Sequence, residues 1–253
     1  MISVVVPTYN EKDNILPLYK RINDTLSTVQ YELIFVDDSN DETPEVIRSI
    51  DDPNVRVFHR ENEKGLATAV IKGFELSKGD FVACMDADLQ HPPEILLDMY
   101  VAMLDGADMA IPSRFIPGGS DGGLDLIRKI ISGTARYIGK ILLPSLRKIT
   151  DPTSGLFMVR RELIQKADLN PIGWKIMVEV LAMCNVMKVT EIPYKFHDRN
   201  AGESKISTKV SLEYIKQLFH LMRAAVNRGK GMTVAKWSYE ILEEKKEQYL
   251  ENK

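Results

Sequence analysis

The sequence predicts an α/β fold, a mostly parallel central sheet with flanking helices and additional amphipathic surface helices. Three observations point to it. Short runs rich in Val, Ile and Phe alternate with helical periods through the first half of the chain. These runs are solidly apolar rather than alternating in and out, as strands buried on both faces are. Polar residues gather where the runs end, at Thr8 to Glu11, Asp37 to Asp41 and Asp86 to Gln90. Ligands of open α/β sheets bind at the carboxyl ends of strands, so the three clusters are expected to share one crevice.

Taken in order, the strand-like run "ISVVVPT" leads into a helix around 12–28, "YELIFVDD" into a helix around 43–50, and "VRVFHR" into a helix around 65–77, before "DFVACMDAD" closes the series. This alternation is that of a sheet covered on both faces. After "ADMAIPSRFIPGGSDGG" the character changes, and residues 117–123, "PGGSDGG", read as a loop. A helix is predicted over 124–143 with Ile127, Ile130, Ile131, Ile138, Ile141 and Leu142 crowding one side. Arg128, Ser132, Arg136 and Lys140 recur every four residues on another side. A second amphipathic stretch, about 208–228, groups Ile215, Leu218, Phe219, Met222 and Val226, with Lys209, Lys216, Arg223 and Arg228 elsewhere on its surface. The tail "YEILEEKKEQYLENK" reads as a charged, solvated helix.

With 253 residues and 44% hydrophobic content, one large core suffices and a single globular domain is expected. Cys84 and Cys184 lie far apart in apolar surroundings, which suits buried thiols rather than a metal knuckle or a disulfide framework. The opening has no basic start or small-residue cleavage site, so export is not expected. No stretch reaches the roughly 18 apolar residues of a membrane-spanning helix. The net charge of −3 is uneven: residues 114–148 and 199–230 each carry +5, which leaves −13 on the remainder. Two basic amphipathic helices suit a membrane surface or a packed helical subdomain.

The Asp-x-Asp of Asp86 and Asp88 at a strand terminus, followed by Gln90 and the stop Pro92-Pro93, offers oxygen ligands to a hard divalent cation. Such a cation also takes phosphates and waters as ligands. Other nucleotide chemistries lack their motifs: there is no G-x-G-x-x-G after the first strand and no G-x-x-x-x-G-K-[ST]. H-E-x-x-H does not occur, and the G-G-S-D-G string at 118–122 falls in the loop 117–123 rather than at a strand-to-helix elbow, which argues against a zinc or serine hydrolase. A metal-dependent nucleotide-diphosphate site is the best remaining option.

The strings "VVVPTYNE" (4–11), "VDDSNDET" (36–43), "MDADLQHPPE" (85–94), "SRF" (113–115), "TSGLFMVRR" (153–161) and "DRNAGESK" (198–205) together resemble family 2 glycosyltransferases of the GT-A fold. Among these the chain looks most like polyprenyl-phosphate glycosyltransferases such as the dolichyl-phosphate mannose synthases, over about residues 1–230. The resemblance implies that Pro7, Tyr9, Glu11 and Asp38 line a nucleotide pocket with Val36 nearby. It implies that Asp86, Ala87, Asp88 and Gln90 hold Mg²⁺ or Mn²⁺ and a diphosphate, the metal falling to Asp86, Asp88 and Gln90. Arg114, Arg199 and Lys205 would meet phosphate from the other side, where positive charge stabilises a departing diphosphate. Asp88, Arg114 and Arg199 are thus the expected catalytic residues. Residues 1–230 would form the catalytic domain, including both amphipathic helices, with 231–253 as a charged terminal helix.

The acceptor is indicated partly by an absence. Family 2 enzymes that polymerise sugars must deprotonate a hydroxyl and generally carry Q-x-x-R-W, which does not occur here. A phosphate acceptor is already ionised and needs cations more than a carboxylate. Helix spacing and the family likeness suggest that Arg128 and Ser132, one turn apart, grip it with Arg114. Asp151 in "TDPTSG" would either orient an acceptor or loop or cap the turn before "SGLFMVRR", with the Asp-Pro turn chemistry favouring the cap, and His91 and His197 receive no role. The family's usual D-D-x-S-x-D-x-T is shortened to "DDSNDET", which bears on base recognition.

The expected function is metal-dependent, inverting transfer of a sugar, mannose from GDP-mannose first, to dolichyl or polyprenyl phosphate. The enzyme would sit in the cytoplasm, peripherally at the cytoplasmic membrane face or on a membrane-anchored partner, with no nucleic acid involved. The same fold with a UDP-sugar donor (glucose or N-acetylhexosamine), or with a soluble hydroxyl acceptor, stays open. A sugar-1-phosphate nucleotidyltransferase lacks its G-x-G-x-R motif here, and a non-catalytic scaffold would be indifferent to Asp88→Ala.

Overall fold

The computed structural model describes residues 1–123, 126–197 and 208–251, with side chains described for all of these except 126–131 and 208–211. The order of elements is β1 (Ile2–Thr8), α1 (Lys12–Leu26), β2 (Tyr31–Asp37), α2 (Thr43–Arg48), β3 (Val55–His59), α3 (Leu66–Leu76), β4 (Phe81–Cys84), α4 (Ile95–Leu104) and β5 (Met109–Ser113). Then follow α5 (Leu126–Leu142), a 3-10 turn at Pro144–Leu146, β6 (Phe157–Arg160), α6 (Arg161–Gln165), α7 (Ile176–Met183), β7 (Lys188–Pro193), α8 (Thr208–Ala224), β8 (Thr233–Lys236) and α9 (Tyr239–Glu251).

The strands form one eight-stranded sheet in the order β3-β2-β1-β4-β6-β5-β7-β8. Only β6 runs against its neighbours, β4 and β5; every other pairing is parallel. Alternate residues of β1 serve different cores. Ile2, Val4 and Val6 pack with α1, α2, α4 and α9, whereas Val5 packs on the opposite face with α3, α7 and α8. Double coverage is why these strands read as unbroken apolar runs.

Register brings the polar clusters level. Thr8 pairs with Asp37, and β4 ends at Cys84 opposite Val5, so Asp86 emerges at the carboxyl edge beside Thr8 to Glu11. The switch to the antiparallel β6 occurs at this same edge, where Gly155 precedes the strand.

Three sequence expectations change. The tail helix is docked, not solvated: Leu242 is 1% exposed, and Lys245 and Lys246 pair with Asp105 and Asp98 at 2.6 and 3.0 Å. Before it, residues 233–236 add an edge strand that the sequence reading lacks. The apolar face of α8 is split. Leu218 is buried with Tyr214, Gln217 and Leu221, while Phe219, Met222 and, just past the helix, Val226 face outward, as does Ile141 of α5.

Candidate active site

The first wall of the crevice joins the ends of β1, β2 and β3. Asp37, fully buried, accepts hydrogen bonds from the hydroxyls of Thr8 (2.7 Å) and Ser39 (2.6 Å) and lies 2.6 Å from His59 Nδ1. Asn10, at φ 56°, donates its backbone N–H to Ser39 Oγ and accepts one from Asn40 through its side chain. Short polar side chains tolerate this left-handed conformation, and here it stitches the two loops together.

Asp38 has a more specific arrangement than the sequence suggested. Arg60 grips its two oxygens at 2.7 and 2.6 Å, and the Gly65 N–H donates to it at 2.8 Å. Its carboxylate therefore anchors segment 60–65 against the end of β2. Lys64 on that segment lies 5.7 Å from the centre of the exposed Tyr9 ring and donates to Asn40 Oδ1 at 2.7 Å. Lys64 also lines a polar cavity of about 370 Å³ with Ser39, Asn40, Asp41, His59 and Arg60. Pro7 and Val36, paired in register, are buried in the sheet beneath this wall, and Glu11 is half-buried, its side chain accepting from Asn14 at 2.7 Å.

The second wall is the turn after β4. Asp86 is half-buried at the strand end, followed by buried Ala87 and Asp88. Leu89 takes φ 60°, a conformation that strains a bulky residue by about 1–3 kcal/mol and that clusters at functional sites. The Gln90 N–H donates to Asp88 Oδ1 at 3.1 Å, and the His197 N–H donates to the Gln90 carbonyl at 3.0 Å. Gly155 closes the back of this turn: a Cβ there would lie 2.3 Å from Asp86 Oδ2, so only glycine leaves the carboxylate its place. Two carboxylates and an amide form a hard-oxygen donor set for a divalent ion. Among the described residues no group of three or more His, Cys, Asp or Glu side chains is arranged to hold a metal, so such an ion would depend on phosphate oxygens and water as well.

The third wall is cationic. Arg114, just after β5, donates from Nε and Nη2 to Asp151 at 2.7 and 2.9 Å, and Asp151 is fully buried. Burial alone would lower the Arg114 pKa, but the hydrogen bonds and charge of Asp151 more than offset it, so the guanidinium stays charged. Asp151 is thus a buried partner of Arg114 and not the turn cap that its Asp-Pro context suggested. It is placed by Glu191 of β7, whose Oε1 accepts from the Thr150 N–H and hydroxyl at 2.7 Å each and from the Asp151 N–H at 3.4 Å. Lys175, before α7, donates to the Thr153 carbonyl at 2.9 Å. Burial lowers its pKa, Arg114 adds to the shift, and Asp86 and Asp151 oppose it. His91 is buried, stacked 5.6 Å from Tyr194 and edge-on to Phe196, and burial, then Arg114 and Lys175, push its pKa down to about 3.

The structure therefore brings Asp86, Asp88, Gln90 and Arg114 to one end of the crevice and Tyr9, Glu11 and Asp38 to the other. Ser132 is half-buried on α5, and one turn on, Arg136 lies 4.0 Å from the centre of the Phe115 ring, itself next to Arg114. Arg199 and Lys205 lie outside the described residues, as does the side chain of Arg128. Sequence reasoning missed Arg60, Lys64, Gly155, Lys175 and Glu191. Gly155 falls in the quoted string "TSGLFMVRR", but nothing local marks its contact with Asp86.

Residues 3–167 match the family model described as glycosyl transferase family 2. A dolichol-phosphate mannosyltransferase of Pyrococcus furiosus is 43% identical over 88% of this chain and 64% of its own length. One from Saccharomyces cerevisiae is 39% identical over 87% of this chain and 86% of its own. A polyprenol monophosphomannose synthase of Mycolicibacterium smegmatis is 34% identical, with 90% of each chain covered. The chain thus spans just under two thirds of the Pyrococcus protein. Among solved structures, mannosyl-3-phosphoglycerate synthase from Rubrobacter xylanophilus superposes with TM-score 0.67 at 19% identity, covering 88% of this chain and 74% of its own. A mannosyltransferase of Pyrobaculum calidifontis in complex with GDP-Man and Mn²⁺ does so with TM-score 0.57 at 17% identity, covering 96% and 68%.

Proposed function

Because the chain belongs to glycosyl transferase family 2, we propose that it transfers mannose from GDP-mannose to a dolichyl or polyprenyl phosphate. The observation that carries this reading is the facing of two unlike walls. The Asp86–Gln90 turn, kept open by Gly155, offers oxygen ligands, and the opposite side offers Arg114 and Lys175. Asp151 is held by Arg114, and Glu191 by Thr150. Such a site suits a nucleophile that arrives ionised. The names of the relatives, dolichol-phosphate mannosyltransferase and polyprenol monophosphomannose synthase, support the same acceptor class.

In this reading Tyr9, Glu11 and the Asp38–Arg60–Lys64 wall receive the nucleotide, in the cavity beside Asn40. Asp86, Asp88 and Gln90 hold Mg²⁺ or Mn²⁺, which when bound neutralises charge on the diphosphate. An oxygen of the acceptor phosphate attacks the anomeric carbon and forms the new C–O bond. The bond to the diphosphate breaks with its electron pair staying on the diphosphate oxygen, and configuration inverts. Arg114 steadies phosphate charge across the crevice, joined by Arg128, Ser132, Arg199 and Lys205. Fixed cations and hydrogen-bond donors of this kind act because they are in place before charge moves.

No described helix is long and apolar enough to cross a membrane. The outward Leu212, Phe219 and Met222 of α8, with Tyr137 and Ile141 of α5, lie among Lys and Arg and support peripheral contact with a membrane that carries the lipid acceptor. A donor panel of GDP-mannose, UDP-glucose and UDP-N-acetylglucosamine with a short polyprenyl phosphate, run with and without Mn²⁺, tests the assignment. Release of nucleoside diphosphate from GDP-mannose alone, and only with metal, is expected. Preference for a UDP-sugar would overturn the donor.

A further inference from the structure

The cationic wall contains one charge that no described side chain neutralises. It is not that of Arg114, whose Nε and Nη2 are held by the buried Asp151 at 2.7 and 2.9 Å, a pair with no net charge. Lys175 differs. Its ammonium donates to a neutral acceptor, the Thr153 carbonyl at 2.9 Å, and it forms no ion pair with a described residue. An ammonium carries three donors, so two remain for something else. The residue is fixed from its other end as well: Gln217 of α8 donates to the Lys175 carbonyl at 3.4 Å and to buried Glu179 at 3.1 Å. Thr153 lies between Asp151, which holds Arg114, and Gly155, which abuts the Asp86 carboxylate, so the Lys175 ammonium is held beside both walls.

We propose that Lys175 is a phosphate-binding residue of the reaction site, its ammonium meeting the acceptor phosphate between the Asp86 turn and the Arg114–Asp151 pair. The inference rests on the functional reading above and adds to it the residue that selects the acceptor's chemistry. A poorly solvated ammonium that forms no ion pair with a described residue attracts an anionic oxygen far more strongly than a fully solvated one. At the same place it can take no proton from a neutral hydroxyl. Lys175 thereby favours an ionised phosphate over a sugar hydroxyl.

The test is calorimetric binding of farnesyl phosphate, in the presence of Mn²⁺ and GDP, to the wild type, Lys175→Met, Lys175→Gln and Lys175→Arg. Lys175→Met should weaken farnesyl phosphate about tenfold or more, the worth of a charge-assisted hydrogen bond. Lys175→Gln, whose amide keeps a donor for Thr153, should weaken it similarly, and Lys175→Arg should recover most of the affinity. GDP affinity and the thermal midpoint of Lys175→Gln should stay at wild-type values, and kcat/KM for the lipid should fall while KM for the donor holds. Equal farnesyl phosphate affinity in wild type and Lys175→Gln overturns the proposal, as does a parallel loss of GDP affinity. Lys175-dependent binding of farnesyl phosphate in an enzyme that turns over no mannosyl donor upholds it and defeats the donor assignment. Normal mannosyl transfer by Lys175→Gln sinks it and leaves that assignment standing.

Discussion

Asp86 keeps its orientation because residue 155 has no side chain. A Cβ on Gly155 would lie 2.3 Å from Asp86 Oδ2 and 3.2 Å from its Cγ, so Gly155→Ala must push the carboxylate out of line. Displacement of a reacting group by about 1 Å can cost about 10²-fold in rate. Gly155→Ala should therefore lose turnover on that order while its melting profile stays cooperative, and a kcat unchanged at saturating Mn²⁺ would refute the role given to Asp86. The place of Asp86, Asp88 and Gln90 at the carboxyl edge of the sheet was legible in the sequence because they follow a buried strand and precede two prolines. Gly155, Lys175 and Arg60 were not, since each acts through a partner far along the chain and nothing in its neighbours announces the contact. Asp151 shows how local chemistry can mislead: Asp-Pro suggests a turn, but the controlling partner, Arg114, lies 37 positions away.

The strands that carry the site were the easiest elements to read. β1, β2 and β4 are covered on both faces, so nearly every position is apolar and their polar ends stand out. β8 is a four-residue edge strand, mostly exposed, and without an apolar run it leaves no such trace. Helix α9 was misread for a related reason. Its charge pattern is that of a solvated helix, yet Leu242 is buried among residues packed with α4, and Lys246 reaches Asp98 at 3.0 Å. Truncating a buried leucine costs about 2–5 kcal/mol, against less than about 0.5 kcal/mol for an exposed one. Leu242→Ala should lower the free energy of urea unfolding by about 2 kcal/mol, the low end of that range for a helix at the end of the chain. A change below about 0.5 kcal/mol would mean that α9 is not part of the folded unit. On α8 the predicted apolar face divides, with Leu218 and Leu221 toward the core and Phe219 and Met222 outward, because the helix packs on α7 along a different stripe.

At the scale of the molecule, one sheet with two cores presents three loop clusters and a cationic wall at a single edge, on a fold of the GT-A class. Periodicity and strand-end chemistry were enough to anticipate that edge. They did not reveal how the walls are braced, because bracing depends on pairs such as Arg60–Asp38 and Arg114–Asp151 that fold brings together. The central claim is that these walls serve sugar transfer to a lipid phosphate. Its most direct test is the fate of radiolabelled mannose from GDP-mannose, incubated with a short polyprenyl phosphate and Mn²⁺ and then partitioned between lipid and aqueous phases. Label is expected in the lipid phase as a β-linked mannosyl phosphate, and none there with Asp88→Asn. Label confined to the aqueous phase, or equal lipid labelling by Asp88→Asn and wild type, would contradict it.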